Sequence, residues 1–301
     1  MAYAASRWNY GGNRTSTMGE VFGFGEFLNY WSFNAMFYGN LRALSDGLTR
    51  GGPLGVNPGS WTADVGVSSD YRKKLQGYFD VGLSGDDLGG WSVSTYGQVR
   101  YRPTSTVSLS FGPSYYASVN PQQYVSSSPD SSATATYGRR YLFAEVLQRT
   151  LDLTTRVDIT LSPTLSFQLY AQPFVATGHY RRFKELEAPR TTDFIVYGET
   201  PGSTLLDSTA TAGYYVVDPD GAGPRPVSTM NNPDFSMRSL RGNAVVRWEY
   251  RPGSTLFLVW TTSCSSYGAN PAFNATQDFR QLCQGRSDNV FAVKLNYWLS
   301  L

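Results

Sequence analysis

The chain has 301 residues, of which 15% are aromatic and only 16% are charged, and its formal net charge at pH 7 is +2. Average proteins are about one quarter charged, so aromatic residues, Ser, Thr and Gly have replaced charge in this chain. Lys and Arg are scattered along the sequence rather than clustered, which argues against nucleic acid as a partner.

Hydropathy leaves a soluble protein and a membrane β-barrel both open. No window approaches the roughly 18 consecutive apolar residues that a spanning helix needs. The mean hydropathy of −0.31 suits either class, because half of each barrel strand faces a polar lumen. The first twenty residues lack the charged and apolar regions of a secretory signal. We therefore expect the export signal to lie outside this chain. We also expect this chain to be the C-terminal part of a longer protein.

Strict alternation of apolar and polar residues predicts an all-β antiparallel fold with about twelve strands. In the run from Trp91 to Tyr101, for example, Trp91, Val93 and Val99 are separated by Ser, Gln and other polar residues. No segment of helical period interrupts the series. The predicted strands cover residues 1–9, 19–28, 32–41, 60–70, 74–84, 90–101, 105–116, 139–161, 164–176, 236–250, 254–265 and 288–301. The segment 19–40 has apolar residues on both faces of its first half, so its register stays open.

Turn lengths favour one architecture among the all-β folds. Short proline turns are predicted at Arg102-Pro103-Thr104, Ser162-Pro163-Thr164 and Arg251-Pro252-Gly253, and long loops at about 117–138, 177–235 and 266–287. If the strands run up and down, the short turns share one end and the long loops share the other. This asymmetry predicts an up-and-down transmembrane β-barrel, residues 1–301, with short periplasmic turns and long extracellular loops in outer-membrane lipid.

The end of the chain has a distinct pattern of its own. Alternate residues from Phe291 to Leu301 are apolar, so the last predicted strand is amphipathic up to the terminus. Such a strand resembles the C-terminal signal that the barrel-assembly machinery recognises, and we expect that machinery as a partner. The signal prefers a terminal aromatic residue, from which Leu301 departs, and an ordinary edge strand is the alternative.

Charged residues recur at the polar positions of the predicted strands. Those expected to face the lumen are Asp64, Asp80, Arg100, Asp152, Arg156, Asp158, Arg247, Glu249 and Lys294. Their mixed signs favour a network that sets the electrostatics of a barrel interior. The alternative is a carboxylate pair that acts on a glycosidic bond at about 5–9.5 Å separation. No catalytic residue, metal site or cofactor is predicted.

Two further sequence features have simple structural interpretations. His179 is the single histidine, and no Gly-x-Ser-x-Gly motif accompanies it, so a solvated residue at the barrel rim is expected rather than a base. Asp218 and Asp220 precede Gly221 like the start of a calcium loop, but the closing Glu is missing and a turn is favoured.

The two cysteines are too few for a disulfide scaffold or a cysteine zinc site. A bond between Cys264 and Cys283 would close a loop of about twenty residues and stabilise it by about 3 kcal/mol. Unpaired thiols would argue against export to an oxidising compartment.

Long segments of the chain resemble a known family. They are Thr134–Arg190, Asn232–Ser263, the "LTRGGPL" of 48–54 and the closing "NVFAVKLNYWLSL". These residues are similar to the C-terminal domain of unknown function that follows a family-nine carbohydrate-binding-like module in large exported proteins of Gram-negative bacteria. The resemblance implies an outer-membrane barrel, further strands upstream and a sugar-binding-like module before them. No catalytic residue can be transferred to this chain.

The expected function is an outer-membrane anchor, pore or translocation element associated with carbohydrate binding or uptake, with glycans among its partners. The first alternative is a membrane-associated glycan hydrolase, although we do not expect this chain alone to be an enzyme. The second is a soluble carbohydrate-binding β-sandwich, which predicts aromatic residues in one concave patch instead of two girdles.

Overall fold

The computed structural model describes residues 1–210 and 213–299, and most of them belong to β-strands. In chain order the strands are β1 (Ala2–Trp8), β2 (Arg14–Glu26), β3 (Ser32–Asn40), β4 (Ala43–Ser45), β5 (Gly55–Asn57), β6 (Ser60–Ser68), β7 (Leu75–Asp86), β8 (Trp91–Thr104), β9 (Val107–Pro129), β10 (Arg139–Ser162), β11 (Leu165–Leu186), β12 (Phe194–Val196), β13 (Thr204–Asp207), β14 (Tyr214–Asp218), β15 (Ser228–Asn231), β16 (Phe235–Arg251), β17 (Ser254–Gly268) and β18 (Arg286–Asn296). A 3₁₀ turn at Thr134–Thr136 and the helix α1 (Ala275–Arg280) complete the elements.

Twelve of these strands form one antiparallel sheet that follows the order of the chain. The order is β1-β2-β3-β6-β7-β8-β9-β10-β11-β16-β17-β18, with β12 added beside β11. Strands β4 and β5 form a separate ribbon, and β13–β15 form a small sheet of three strands. Each of the twelve predicted strands corresponds to one strand of the large sheet, so the all-β antiparallel prediction is confirmed.

Among the described residues, no helix has both the length and the apolar character that crossing a bilayer requires.

The sheet is open, whereas the sequence pattern predicts a closed barrel. Its strand order begins at β1 and ends at β18, and no pairing joins these two edges in the described chain. Alternation and turn length are the same in an open meander and in a closed one, because closure adds only one strand pair. The sequence pattern therefore does not distinguish them.

Two strands extend well beyond their predicted ends. β9 reaches Pro129 instead of residue 116, and β11 reaches Leu186 instead of 176. Much of the predicted loops 117–138 and 177–235 is therefore paired strand. The added part of β9 is rich in Ser, Asn and Gln, so the apolar alternation stops while the backbone ladder to β10 continues. The sequence prediction placed the end of the strand where the apolar alternation ends.

Two smaller corrections concern turns and the terminus. β8 continues through Pro103 to Thr104, and the turn lies at 105–106. Pro103 falls where the register between β8 and β9 shifts, because proline has no N–H for the ladder. β18 ends at Asn296, and the predicted terminal position Leu301 lies outside the described residues.

The connections differ strongly between the two ends of the sheet. At what we call the short-turn end, the connections are 27–31, 69–74, 105–106, 163–164 and 252–253. At the long-loop end they are 9–13, 41–59, 87–90, 130–138, 187–234 and 269–285. The predicted asymmetry of connections is therefore present.

Register keeps the alternation in step across the sheet, so that one face is apolar and the other is polar. Leu83 pairs with Val93 on the apolar face, and Gly82 pairs with Ser94 on the polar face. We refer to the two sides of the sheet as the apolar face and the polar face. Large side chains of the apolar face are exposed: Phe79 by 55%, Phe111 by 45% and Trp248 by 48%. The rule weakens at β2, where Phe22 and Phe24 pair with residues of the polar face.

A conventional core exists only at the long-loop end of the described chain. Alternate residues of β10 supply two clusters. One contains Leu142, Ala144, Phe183, Tyr197, Val217 and Met230, and the other contains Tyr141, Phe143 and Leu186. The loops 41–59 and 187–234 pack against these residues. The loops are thus folded structure that covers this end of the sheet.

Candidate functional site

All nine charged residues predicted to face a lumen lie on the polar face. The register sets Asp80 opposite Gly66, Asp152 opposite Ser114, and Arg247 opposite Ser166 and Phe257. Phe257 pairs in turn with Lys294, and the same alternation places the other five on this face. The structure brings seven of the nine together in three separate groups along the sheet.

The first group contains Asp64 and Asp80 on the neighbouring strands β6 and β7. The Tyr78 hydroxyl donates a hydrogen bond to Asp80 Oδ2 at 3.2 Å. Gly66 of β6, which pairs with Asp80, leaves the space these groups occupy, since a Cβ there would lie 3.0 Å from Asp80 Oδ2. The two acidic side chains therefore share one small polar region of the face.

The second group joins β10 to β11 through a chain of hydrogen bonds. The Tyr170 hydroxyl donates to Gln172 Oε1 at 2.8 Å, and Gln172 Nε2 donates to Asp152 Oδ2 at 2.6 Å. The guanidinium of Arg156 lies 5.4 Å from the centre of the Tyr170 ring. Sequence reasoning missed Tyr170, because an aromatic residue at a polar position resembles an interruption of the pattern.

The third group lies near the β16–β17 turn and the β18 edge. Arg247 and Glu249 form an ion pair at 3.4 Å, and Glu249 Oε1 accepts a hydrogen bond from the N–H of Gly253 at 3.1 Å. Lys294 Nζ lies 5.9 Å from the centre of the Phe257 ring. Glu249 thus helps to fix the turn as well as balancing Arg247.

Arg100 and Asp158 belong to none of these groups. Arg100 lies opposite Gln76 and Ser110, and Asp158 lies opposite Gln168 and Ser108. Within residues 1–210 and 213–299, no set of three His, Cys, Asp or Glu side chains converges as metal ligands would. What the polar face offers is a surface of mixed charge and hydroxyl groups.

A cavity of about 510 Å³ opens on the polar face at the long-loop end. Its walls come from β2, β3 and β6–β9, and residues of the 41–59 loop lie over it. Sequence reasoning did not find this cavity, because it searched for charge and the lining is almost uncharged. The available signal was the occurrence of Ser at alternate positions of β8 and β9.

A buried ion network fixes the loops above the sheet. Arg140 Nε lies 3.1 Å from Asp130 Oδ2 and 3.1 Å from Glu185 Oε2, and all three side chains are nearly inaccessible. Arg225, from the 187–234 loop, pairs with Glu185 at 2.8 Å. Two arginines thus balance two carboxylates, as burial of charge requires.

Two pKa shifts follow from this packing. Burial opposes the ionisation of Asp130, but hydrogen bonds from Ser132 and the charge of Arg140 outweigh it, so its pKa lies below the usual value. Burial and the Glu185 carboxylate raise the pKa of Tyr197 far above its usual value. The Tyr197 hydroxyl therefore stays protonated and donates to Glu185 Oε2 at 2.6 Å.

Cys264 and Cys283 form a disulfide in the structure, with their Cα atoms 5.2 Å apart. The bond ties the 269–285 loop, which includes α1, to the end of β17. Arg238 of β16 pairs with Asp278 of α1 at 2.7 Å, and the Phe273 ring lies 6.2 Å from that of Tyr115. The loop therefore lies across the long-loop end of the apolar face.

His179 and the two aspartates of the 216–221 segment have structural roles. His179 Nδ1 lies 3.2 Å from Asp234 Oδ2, while Asp234 Oδ1 accepts a hydrogen bond from the N–H of Tyr180. Asp218 Oδ1 accepts from the N–H groups of Asp220 and Gly221, which is the geometry of a turn. Each of these acidic side chains thus fixes a local turn or strand end.

The family model for a domain of unknown function, DUF5916, matches residues 9–301. The chain belongs to this family. A comparison with curated proteins finds no match. Among solved structures, the chain is similar to the crystal structure of the siderophore receptor PiuA from Acinetobacter baumannii, at 10% identity and a TM-score of 0.42. The similarity covers 98% of this chain and 45% of the receptor, so the chain spans under half of that protein's length.

Proposed function

We propose that this chain is part of the membrane-spanning wall of an outer-membrane β-barrel, and that its polar face lines a passage for small polar solutes. The exposed apolar face is the observation that carries the proposal. Large apolar side chains remain exposed along most strands of the large sheet, from Val21 on β2 to Leu295 on β18. Soluble monomers rarely expose contiguous apolar patches beyond a few hundred Å², whereas lipid requires such a surface.

The apolar face has the height of a bilayer. On β10 it runs from Leu161 at the short-turn end to Leu151, and the next residue on this face is Arg149. Ten residue steps of about 3.4 Å, tilted by about 45°, span roughly 24 Å. This matches the apolar band of about 25 Å on barrels of the outer membrane. A cation at position 149 fits the level of the lipid head groups.

Aromatic residues lie at both margins of the apolar face. Trp61 and Trp91 occupy the long-loop ends of β6 and β8, and Tyr101 and Trp248 lie near the short-turn ends of β8 and β16. All four are exposed. Trp and Tyr favour the two lipid–water boundaries. Two margins of aromatic residues favour a membrane barrel over a β-sandwich with one concave patch.

The two open edges require partners in lipid, because unpaired backbone groups are costly there. We infer that further strands complete the barrel next to β1 and β18, in line with the upstream strands that the sequence resemblance implies. The exposed residues Phe291, Val293 and Leu295 make β18 a suitable edge for the barrel-assembly machinery. The association with a carbohydrate-binding-like module is likewise a proposal, for the longer protein.

Spin labels on neighbouring residues test the membrane orientation. Leu109 lies on the apolar face and Ser108 on the polar face of the same strand, so Leu109→Cys and Ser108→Cys are a matched pair. Both native cysteines are in a disulfide, which leaves a single reactive thiol in each variant. In proteoliposomes, the label at 109 should be accessible to oxygen, and the label at 108 to a water-soluble nickel complex. Equal access of the nickel complex to both labels would refute the proposal.

Solute passage needs a second measurement, because a barrel that serves only as an anchor also satisfies the first. Proteoliposomes that contain the protein should swell in an isotonic solution of a small neutral solute such as arabinose. Deletion of the 187–234 loop, which packs over the long-loop end, should change the rate of swelling. Vesicles that admit no solute with either protein would leave an anchor as the function.

A further inference from the structure

The cavity on the polar face has fixed walls at the long-loop end. Strand residues line it, together with Ala43, Asn57 and Pro58 of the 41–59 loop. Arg42 of this loop forms an exposed ion pair with Asp87 at 2.9 Å. The loop also packs through Leu48 against the buried cluster around Phe143. The cavity is therefore a built feature of the fold.

The lining is rich in hydroxyl and amide groups and nearly free of charge. Its polar residues from the sheet include Ser16, Tyr38, Asn40, Ser60, Thr62, Ser84, Ser92, Tyr116, Ser118 and Asn120. The one charged residue is Asp86, whose Oδ1 accepts hydrogen bonds from the N–H groups of Leu88 and Gly90 at 2.8 Å each. This composition contrasts with the charged groups elsewhere on the same face.

Some of the lining groups are fixed and others are available to a ligand. Ser84 and Ser92 share a hydrogen bond of 2.7 Å across β7 and β8, and the hydroxyl of Ser16 donates to Asn40 Oδ1 at 3.3 Å. Ser118, only 8% exposed, lines the cavity and makes no side-chain hydrogen bond with any described residue. A buried hydroxyl is most stable when it has a partner, so Ser118 is placed to bind one.

Two tyrosines add apolar surface to the polar lining. Tyr38 of β3 and Tyr116 of β9 are at opposite sides of the cavity, four strand spacings or about 19 Å apart along the sheet. Aromatic rings offer flat apolar surface beside a polar hydroxyl. A ligand with both C–H surface and many hydroxyl groups matches this set, whereas an anionic ligand would lose water without gaining a counter-charge.

We propose that this cavity binds an uncharged, hydroxyl-rich solute of small-sugar size before it enters the passage. A volume of about 510 Å³ lies within the usual range for small-molecule sites, roughly 300–1,000 Å³. The proposal rests on the proposed function, because it names the class of solute that the polar face handles. Selectivity is against anions, since Asp86, the one charged residue of the lining, is itself a carboxylate.

The test compares D-glucose with its anionic counterpart D-gluconate, by equilibrium dialysis of the protein in detergent micelles. Glucose should bind at least tenfold more tightly than gluconate. Ser118→Asp adds a charge to the cavity and Tyr116→Ala removes a ring, and each should weaken glucose binding at least tenfold. Ser110→Asp, on the same strand and face but outside the cavity, is the matched control and should change binding less than twofold.

Several results would overturn the proposal: equal binding of gluconate, no binding of either probe, or an equal effect of Ser118→Asp and Ser110→Asp. Unchanged heat-modifiable migration on gels shows that a variant is folded, and Tyr116→Ala decides if Ser118→Asp does not fold. The spin-label result separates the two proposals. If the labels show the membrane orientation but no sugar binds, only the cavity proposal is refuted. If sugar binds but the labels do not show the membrane orientation, the proposed membrane passage is refuted.

Discussion

Arginine substitutions on the two faces of the sheet should differ in their effect on the free energy of unfolding. Val157 on β10 and Gln168 on β11 are near each other, but Val157 belongs to the apolar face and Gln168 to the polar face. We predict that Val157→Arg strongly lowers the free energy of unfolding in lipid vesicles. Gln168→Arg should be close to neutral, because its neighbour across the strands is Asp158.

The expected magnitude follows from the position of Val157 in the apolar band. The band on β10 extends from Leu151 to Leu161, so its midpoint is residue 156 and Val157 lies beside it. An arginine on the lipid face costs about 2–4 kcal/mol at the bilayer midplane and about 0–1 kcal/mol near the boundary. Leu161→Arg, at the short-turn end of the same face, should therefore cost under about 1 kcal/mol. The three substitutions give a depth profile from one pair of strands.

Denaturant titration in vesicles, followed by tryptophan fluorescence, measures these free energies. The order of destabilisation should be Val157→Arg first, then Leu161→Arg, then Gln168→Arg. Equal losses at positions 157 and 168 would refute the assignment of faces. Equal losses at 157 and 161 would refute the assignment of depth, because a soluble apolar interface has no such gradient.

The remaining predictions concern the loops at the long-loop end. Cys264→Ser should lower the free energy of unfolding by about 3 kcal/mol, since the disulfide closes a loop with a sequence separation of 19 residues. Arg140→Leu should cost about 3–5 kcal/mol by leaving the buried Asp130 carboxylate unpaired and Glu185 with Arg225 alone, and trypsin should cleave the 187–234 loop faster. Arg42→Ala breaks only an exposed pair and should cost under about 1 kcal/mol. The pKa of Asp130 is lowered in the folded chain, so the stability that its ionised form contributes is complete above the ordinary pKa of 3.8. This stability is lost as pH falls through the folded value. Asp130→Asn should therefore weaken the acid sensitivity of the loop, as measured by hydrogen exchange.

Each of these predictions has an outcome that contradicts it. A Cys264→Ser protein as stable as wild type under oxidising conditions would show that the disulfide constrains little. Similar losses from Arg140→Leu and Arg42→Ala would show that burial does not govern the strength of these pairs. Hydrogen exchange that accelerates equally below pH 4 with Asp or Asn at position 130 would assign the acid sensitivity to another group.

The sequence predicts the strands well because alternation is the physical cause of the two faces. A strand with one apolar and one polar face must show period two, and β8 does so from Trp91 onward. The extension of β9 to Pro129 was missed because the apolar alternation stops there, and Ser and Gln do not distinguish the two faces. The pattern therefore predicts the apolar band more accurately than it predicts strand length.

Sequence reasoning found the charged residues of the polar face but not how they combine. Asp152 is bound through Gln172 on the next strand, and register between strands is a tertiary property. Sequence reasoning did not find the nearly uncharged cavity, because Ser118 and Ser84 look like ordinary polar-face residues in the sequence. The Arg140 network joins three distant segments, and no local pattern relates Asp130, Glu185 and Arg225.

The sequential order of the strands has a consequence for the kinetics of assembly. In the block β1–β11 of the large sheet, paired strands follow one another along the chain, apart from the short ribbon β4–β5 between β3 and β6, and in the block β16–β18 they follow one another directly. Between these two blocks lie the 48 residues of 187–234, against at most six in any short turn. Closing a loop eight times longer costs about 2 kcal/mol more in chain entropy. We expect the two blocks to form as separate hairpin series and to join late along the β11–β16 ladder.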